Sequence, residues 1–359
     1  MGYELRNRGP GEGFAMSCTL IFGGDIAPLR ADPTGMFGNL VPVIRQADLA
    51  LANLEIALSN RGRPIRGKPI AHTGPPAAIE GLLEVGFDAF NLANNHVLDF
   101  GEDALLDTLE SLHAAGLGVF GAGPDAAAAA APFITERNGI KVGLLGYTST
   151  LPQGFDAGVG SPGVNPLRVR TAYRPLRNLD EYPGTEPVIN TWPVEEDLRR
   201  MRQDVVSLKN RVDVLLVYQH WGSSITEGVH EFQKIIGHAA IDSGADGVFG
   251  GHQHVISAIE FYHGKPIVHG MGNLLFDIKA PFLTEITRRT FLFGATMTKD
   301  GLCDYRLLPC KTGVDGPPRH LHPDSEDGAL IVATLRRLSE PFGTTLQVAG
   351  DRVLVGMSS

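Results

Sequence analysis

A chain of 359 residues, 43% hydrophobic and 20% charged, has the length and apolar content for one large α/β domain with a substantial core. A formal net charge of −9 argues against nucleic acid as a partner, because neutralising phosphates takes clustered Lys and Arg. Three cysteines without C-x-x-C spacing (Cys18, Cys303 and Cys310) supply neither a zinc knuckle nor a disulfide framework, and no run of eighteen apolar residues marks a membrane span.

In chain order, residues 1–16 are polar and glycine-rich, lack the apolar stretch of a secretory signal, and read as a disordered leader. Cytoplasm is therefore the expected compartment. Strands are predicted at Cys18 to Gly23 and Leu49 to Leu54, a helix from Ala78 to Val85 ending at Gly86, and a strand at Asp88 to Leu92. A helix follows from Ala104 to Ala115, then an extended piece at Gly118 to Gly121, an alanine-rich helical turn at Ala126 to Ala131 and a buried strand at Ile140 to Thr148. Residues 151–192 break the pattern with prolines, glycines and Arg168, Arg170 and Arg174, and read as a lid or insert. Beyond it come a helix at Glu195 to Lys209, a strand at Val212 to Tyr218, a helix at Glu231 to Ser243, and strands at Gly247 to Phe249, Ile256 to Tyr262 and Pro266 to His269. A helix at Ala329 to Leu338 and a hairpin at Thr345 to Val355 close the chain. The main domain is expected over 17–315, with 316–359 an extension packed on it. Alternating strands and helices argue for α/β layering.

Chemistry gathers at the strand ends. Gly251-His252-Gln253-His254 follows one apolar run, and Gln219-His220-Trp221-Gly222 follows another. Asp25, Glu55 and Asn95 stand after the first three predicted strands. The carboxyl ends of strands are where α/β sheets place active sites, and imidazole with carboxylate suits a divalent metal.

These words together resemble the calcineurin-like metallophosphoesterases, and within them the CapA/PgsA family, named for capsule and poly-γ-glutamate synthesis. The matching words are Gly24-Asp25, Ala52-Asn53-Leu54-Glu55, Leu92-Ala93-Asn94-Asn95-His96-x-Leu98-Asp99-x-Gly101, His220-Trp221-Gly222, Asp242-x-Gly244-Ala245-Asp246 and Gly272-Asn273-x-x-Phe276-Asp277, spread over residues 18 to 280. The resemblance implies a four-layer α-β-β-α sandwich and one or two divalent ions (Mn, Zn, Fe or, less readily, Ca or Mg), with no organic cofactor. It implies Glu55 as a bridging carboxylate, Asn95, His220 and His252 completing one metal site, Asp25 and His254 the other, and His96 as acid/base. The phosphatase pattern has a histidine two residues after the first aspartate, whereas Ile26 and Ala27 follow Asp25, so the first metal position is short of ligands.

A second proton-transfer group is sought among His72, His269, Glu227 and Asp25. Asn53, Trp221, Glu227 and Asn273 are the expected substrate contacts, with Asp99 and Asn273 as orienting residues or caps. Glu227, His320 and His322 read equally as solvated surface. The resemblance leaves three functions open. The first is epimerisation of a C-terminal residue of a peptide substrate in ribosomal, lasso-type peptide biosynthesis, by removal and return of a Cα proton next to a free carboxylate. The second is metal-dependent hydrolysis of a phosphoester or of a γ-glutamyl or peptide bond. The third is an accessory role in capsule or poly-γ-glutamate assembly. No nucleic acid and no membrane anchor are expected.

Overall fold

The computed structural model describes residues 16–178, 180–278, 283–314 and 316–358, so the expected leader lies outside the described residues apart from Met16. In chain order the main elements are β1 (Cys18–Ala27), β2 (Leu49–Leu54), α1 (Ala78–Val85), β3 (Ala89–Asn91), α2 (Glu102–Ala114), β4 (Gly118–Phe120), β5 (Phe133–Arg137) and β6 (Ile140–Thr148). They continue with β7 (Val169–Arg174), β8 (Val188–Pro193), α3 (Glu195–Lys209), β9 (Val214–His220), α4 (Glu231–Asp242), β10 (Gly247–Gly251), β11 (Ile259–Tyr262), β12 (Lys265–Val268) and β13 (Asn273–Phe276). The last are β14 (Arg289–Thr298), β15 (Gly301–Lys311), α5 (Glu326–Ser339), β16 (Thr344–Ala349) and β17 (Arg352–Met357).

Two large sheets face one another. The first runs β16-β17-β15-β14-β1-β2-β3-β4, with β13 also paired to β1; the second runs β11-β12-β10-β9-β6-β5. Strands β1 to β4 are mutually parallel, as are β6, β9, β10 and β12. Parallel strands need both faces covered, which is why β2 and β9 are buried along their whole length. Between the sheets, Phe22 of β1 stacks on Phe249 of β10 with centroids 4.5 Å apart and on Tyr218 of β9 at 5.7 Å. Helices cover the outer faces. Ile79, Leu82 and Val85 of α1 and Leu105, Leu109 and Leu112 of α2 join the core against the first sheet. Leu198, Met201, Val205 and Leu208 of α3, with Phe232 and Ile236 of α4, cover the second. Each set recurs at three- and four-residue intervals, the apolar stripe of a helix lying on a sheet. The layering is α-β-β-α.

Residues 151–192 contain a two-residue strand (Gly163–Val164) and the antiparallel ribbon β7–β8. Strands β14 and β15, whose pattern blurs in the sequence, form a long antiparallel pair next to β1, and β17 continues the sheet from β15. The chain beyond residue 316 therefore belongs to the first sheet and to α5. No helix among the described residues is long and apolar enough to cross a membrane.

One close approach fixes how β1 ends. The amide of Asp25 donates to the carbonyl of Gly272 at 2.9 Å, and a Cβ on Gly24 would stand 2.0 Å from that same oxygen. Gly24→Ala is expected to destabilise the protein by about 3 kcal/mol in urea unfolding, because backbone rather than a flexible side chain must yield. A change well under 1 kcal/mol would show that β1 and the Gly272 turn are free to separate.

Candidate metal centre

The parallel strands of both sheets end at the same side of the molecule, and their ends deliver the polar groups. Asp25 lies in β1, just after the register shift between Phe22 and Asp25 against β2. Glu55 follows β2 directly, and Asn95 and His96 sit in the turn after β3. His220 is the last residue of β9, and His252 and His254 follow β10. His252 and His254 have φ of 86° and 57°. Left-handed backbone at non-glycine residues costs of order 1–3 kcal/mol each and persists where surrounding contacts impose it.

All six side chains expected as ligands are buried. One ligand atom from each of Glu55, His220 and His252 falls within 4.8 Å of the others, and so does one from each of Asp25, Glu55 and His254. Glu55 is common to both groups. Its Oε1 is 3.1 Å from His220 Nε2 and 3.9 Å from His254 Nε2. Asn95 Oδ1 stands 2.8 Å from the same His220 nitrogen. Neither oxygen of Glu55 has a hydrogen-bond partner, nor has His252 Nδ1. Buried polar atoms are rarely left unpaired, and orphaned acceptors facing one another are what a cation would satisfy. The residues therefore fit a divalent metal, with Glu55, Asn95, His220 and His252 able to hold one ion and Asp25, Glu55 and His254 a second. Nitrogen with carboxylate oxygen suits Zn, Mn or Fe better than Ca or Mg.

The imidazole protonation states agree with that role, whereas Glu55 would have to release a proton to a bound ion. Burial, reinforced by the Asp25 charge, pushes the Glu55 carboxyl well above its usual range. Burial lowers His220 to about 3 and His252 well below its ordinary value, the latter helped by neighbouring imidazoles. The two rings are thus neutral, as metal ligands must be.

Asp25 is already engaged. Its Oδ1 accepts from Asn53 Nδ2 at 2.8 Å and Tyr218 Oη at 3.1 Å, and its Oδ2 accepts the His252 amide at 2.9 Å. Asn53 also accepts from Asn91 and Asn94, which ties the ends of β1, β2 and β3 into one amide network. Asn273 Oδ1 is 2.9 Å from His254 Nδ1 and sets that ring's orientation. Asn53 and Asn273, expected as substrate contacts, thus act on ligands.

Above the ligands is a cavity of about 210 Å³. Polar Lys68, Asn95, His96, Ser224 and His254 line it together with apolar Ile70 and Phe276. His96 Nδ1 is 2.7 Å from Asp99 Oδ2, and burial lowers the imidazole's pKa against the opposing pull of Asp99. Lys68 pairs with Asp99 and donates to the Asn95 carbonyl at 2.5 Å. The remaining residues expected to transfer protons or to contact substrate stand elsewhere. His72 reaches this network through its amide, which donates to Asp99 at 2.9 Å. His269 is fully buried; its Nε2 is 2.9 Å from Glu260 and its ring stacks on Trp221. Trp221 is buried and donates to the His269 carbonyl. Glu227 pairs with Arg337 of α5 at 2.6 Å. None of these four lines the cavity.

Sequence reasoning passed over Lys68, Ser224 and Tyr218. Tyr218 carried a signal, since it precedes His220 by two positions on a strand and so shares its face. Lys68 and Ser224 are in irregular segments without periodicity, and only the folded chain brings them to the site.

Three comparisons bear on these observations. A family model described as bacterial capsule synthesis protein PGA_cap matches residues 19–278. A probable polyglutamine synthesis accessory protein of Mycobacterium tuberculosis is 27% identical over 343 residues, which is 91% of this chain and 82% of that protein. The PGA biosynthesis protein CapA of Bacillus subtilis is 27% identical over 244 residues, 67% of this chain and 57% of that protein.

Proposed function

Because the chain belongs to the bacterial capsule synthesis protein family, we propose that it is a divalent-metal enzyme acting on an amide-linked, carboxylate-bearing chain of the γ-glutamyl type. Its reaction is hydrolysis of the amide, as an accessory step in polymer synthesis. The observation that carries this reading is Glu55, a buried carboxylate with two unpartnered oxygens shared by two ligand groups, beside a cavity that Asn95 and His254 line. The names of the relatives support the polymer.

A bound divalent ion supplies Lewis acidity toward a carbonyl or carboxylate oxygen. The chain's own residues do the rest. With Nδ1–H donated to Asp99, His96 keeps Nε2 free to take a proton from water and return one to the leaving amine. Lys68 holds Asp99 and the Asn95 carbonyl, and so the spacing between the base and the ligands. Ile70 and Phe276 add apolar wall to the cavity.

A second reading is exchange of a Cα proton, the epimerisation of a C-terminal residue in lasso-type peptide maturation. One observation favours it. No histidine follows Asp25 at Ile26 or Ala27, and three donors already occupy the Asp25 carboxylate. A centre so lopsided suits holding one terminal carboxylate better than clamping a phosphoryl group.

Mass spectrometry in heavy water separates the readings. Manganese- or zinc-loaded protein is incubated with a γ-glutamyl pentamer, with peptides bearing free C-termini and with an aryl phosphodiester. Cleavage of the pentamer with uptake of one water is the expected result. Uptake of one deuteron by an uncut peptide would replace hydrolysis with the second reading. Turnover of the phosphodiester alone would overturn both.

A further inference from the structure

The ribbon β7–β8 is exposed beyond its root, yet it is rich in groups that bind. Pairing sets Arg170 opposite Trp192, Ala172 opposite Asn190 and Arg174 opposite Val188, so Arg170, Arg174 and Trp192 share one face. The other face carries Tyr173 and Ile189, 69% and 60% exposed. At the root Pro193 is buried, Val169 is half-buried and β8 packs on α4. A lone two-stranded ribbon gains little stability in water, so these exposed aromatic and basic residues do not hold the fold together.

The charge on the ribbon is unspent. Among the described residues Arg170 and Arg174 have no ion-pair or hydrogen-bond partner, in a chain whose net charge is −9. At the root a cavity of about 370 Å³ is lined by Asn165, Arg168, Arg200 and the exposed Asp156. Arg168 is held by Asp197 through two bonds of 2.7 Å, while Arg200 Nε is buried without a partner. This cavity and the metal centre flank one stretch of backbone. Asp156 lines the first, and the ring of Phe155 lies 5.3 Å from the Lys68 ammonium, which lines the second. Arg168 and Arg200 at this cavity and Arg170 and Arg174 beyond it thus run out along the ribbon.

We propose that the β7–β8 ribbon, with the Arg168/Arg200 cavity at its root, is the docking surface for a polycarboxylate chain whose reacting end is turned over at the metal centre. The proposal rests on the function proposed above and adds where its substrate is held. Charge complementarity selects the occupant: a polyanion is repelled by most of this acidic protein and attracted here. Guanidinium forks match carboxylates two bonds at a time. Arg170 and Arg174 are about 13 Å apart at the rise of a strand, which suits a repeating anion better than a single small one. Asp180, Glu181 and Glu186 at the tip of the ribbon confine such a chain to the strands.

The test measures fluorescence anisotropy of a labelled γ-glutamyl dodecamer with the full chain, and KM for that dodecamer and for a γ-glutamyl trimer. In the double variant Arg170→Ala/Arg174→Ala the dodecamer is expected to bind about tenfold or more weakly, the loss of two charge-assisted contacts. Its KM should rise in step, trimer turnover should be unchanged, and Arg170→Lys/Arg174→Lys should recover most of the affinity. Trp192→Ala should weaken the dodecamer in the same direction. Unchanged dodecamer affinity in the alanine variant overturns the proposal. So does equal wild-type affinity for an uncharged γ-glutaminyl dodecamer or for an oligothymidylate of that length. A dodecamer that binds through the arginines but is never cleaved keeps the docking surface and removes the proposed hydrolysis.

Discussion

Glu55→Gln is expected to move stability in opposite directions with and without metal. The folded chain holds this carboxyl well above its usual pKa through burial and the Asp25 charge. At neutral pH the unfolded chain therefore releases a proton that the folded chain retains, and stability falls as pH rises past the ordinary carboxylate range. A neutral amide removes that cost, so metal-free Glu55→Gln should be more stable than wild type by about 1–2 kcal/mol. Wild type should gain about 4 kcal/mol from an ion supplied at a thousand times its dissociation constant, and the variant should gain almost none, because both ligand groups lose their shared anion. Calorimetry with chelator and with added manganese or zinc, alongside elemental analysis, reads both effects. A variant that keeps wild-type metal content and the metal-dependent rise in Tm would remove Glu55 from the centre.

His96→Ala is expected to lower kcat by about 10²- to 10⁴-fold, the usual contribution of a positioned acid or base, while metal content stays at the wild-type level. The distinction follows from geometry. His96 is in neither ligand group and faces the cavity with Asp99 behind it. Asp99→Asn should damage stability as well as rate. It leaves the half-buried Lys68 ammonium without its counter-ion, a loss of about 1–3 kcal/mol. Metal analysis and kcat on the same preparation, with urea unfolding for Asp99→Asn, check both. Full activity in His96→Ala would return the proton-transfer role to water or to another residue. Loss of metal in His96→Ala would make it a ligand.

Much of the scaffold was legible because its parallel strands are buried on both faces. Such strands are written as nearly continuous apolar runs: Leu49–Leu54 and Ile140–Thr148 are strands at those very residues, and the strand expected at Val212 to Tyr218 spans Val214–His220. Strands β14 and β15 were not legible. β14 buries six residues in a row, but Thr290 and Gly294 are among them, and most of the first half of β15 is half-buried around Cys303 and the exposed Asp304, so neither has a clean apolar run or a period of two.

For the site, the chain by itself determined which residue types stand at the ends of which strands: Asp25, Glu55, Asn95, His220, His252 and His254 each follow or close an apolar run. Parallel strands point their carboxyl ends one way, so strand order in the sequence already implies a common edge. What only the tertiary structure decided is the direction of each side chain at that edge. Asp25 is saturated by Asn53, Tyr218 and an amide, Glu227 turns to Arg337, His269 turns to Glu260, and Lys68 arrives from a loop to stand beside His96. These outcomes are set by contacts between residues as many as 227 positions apart. Local periodicity reports which face of an element is buried, not which partner waits there.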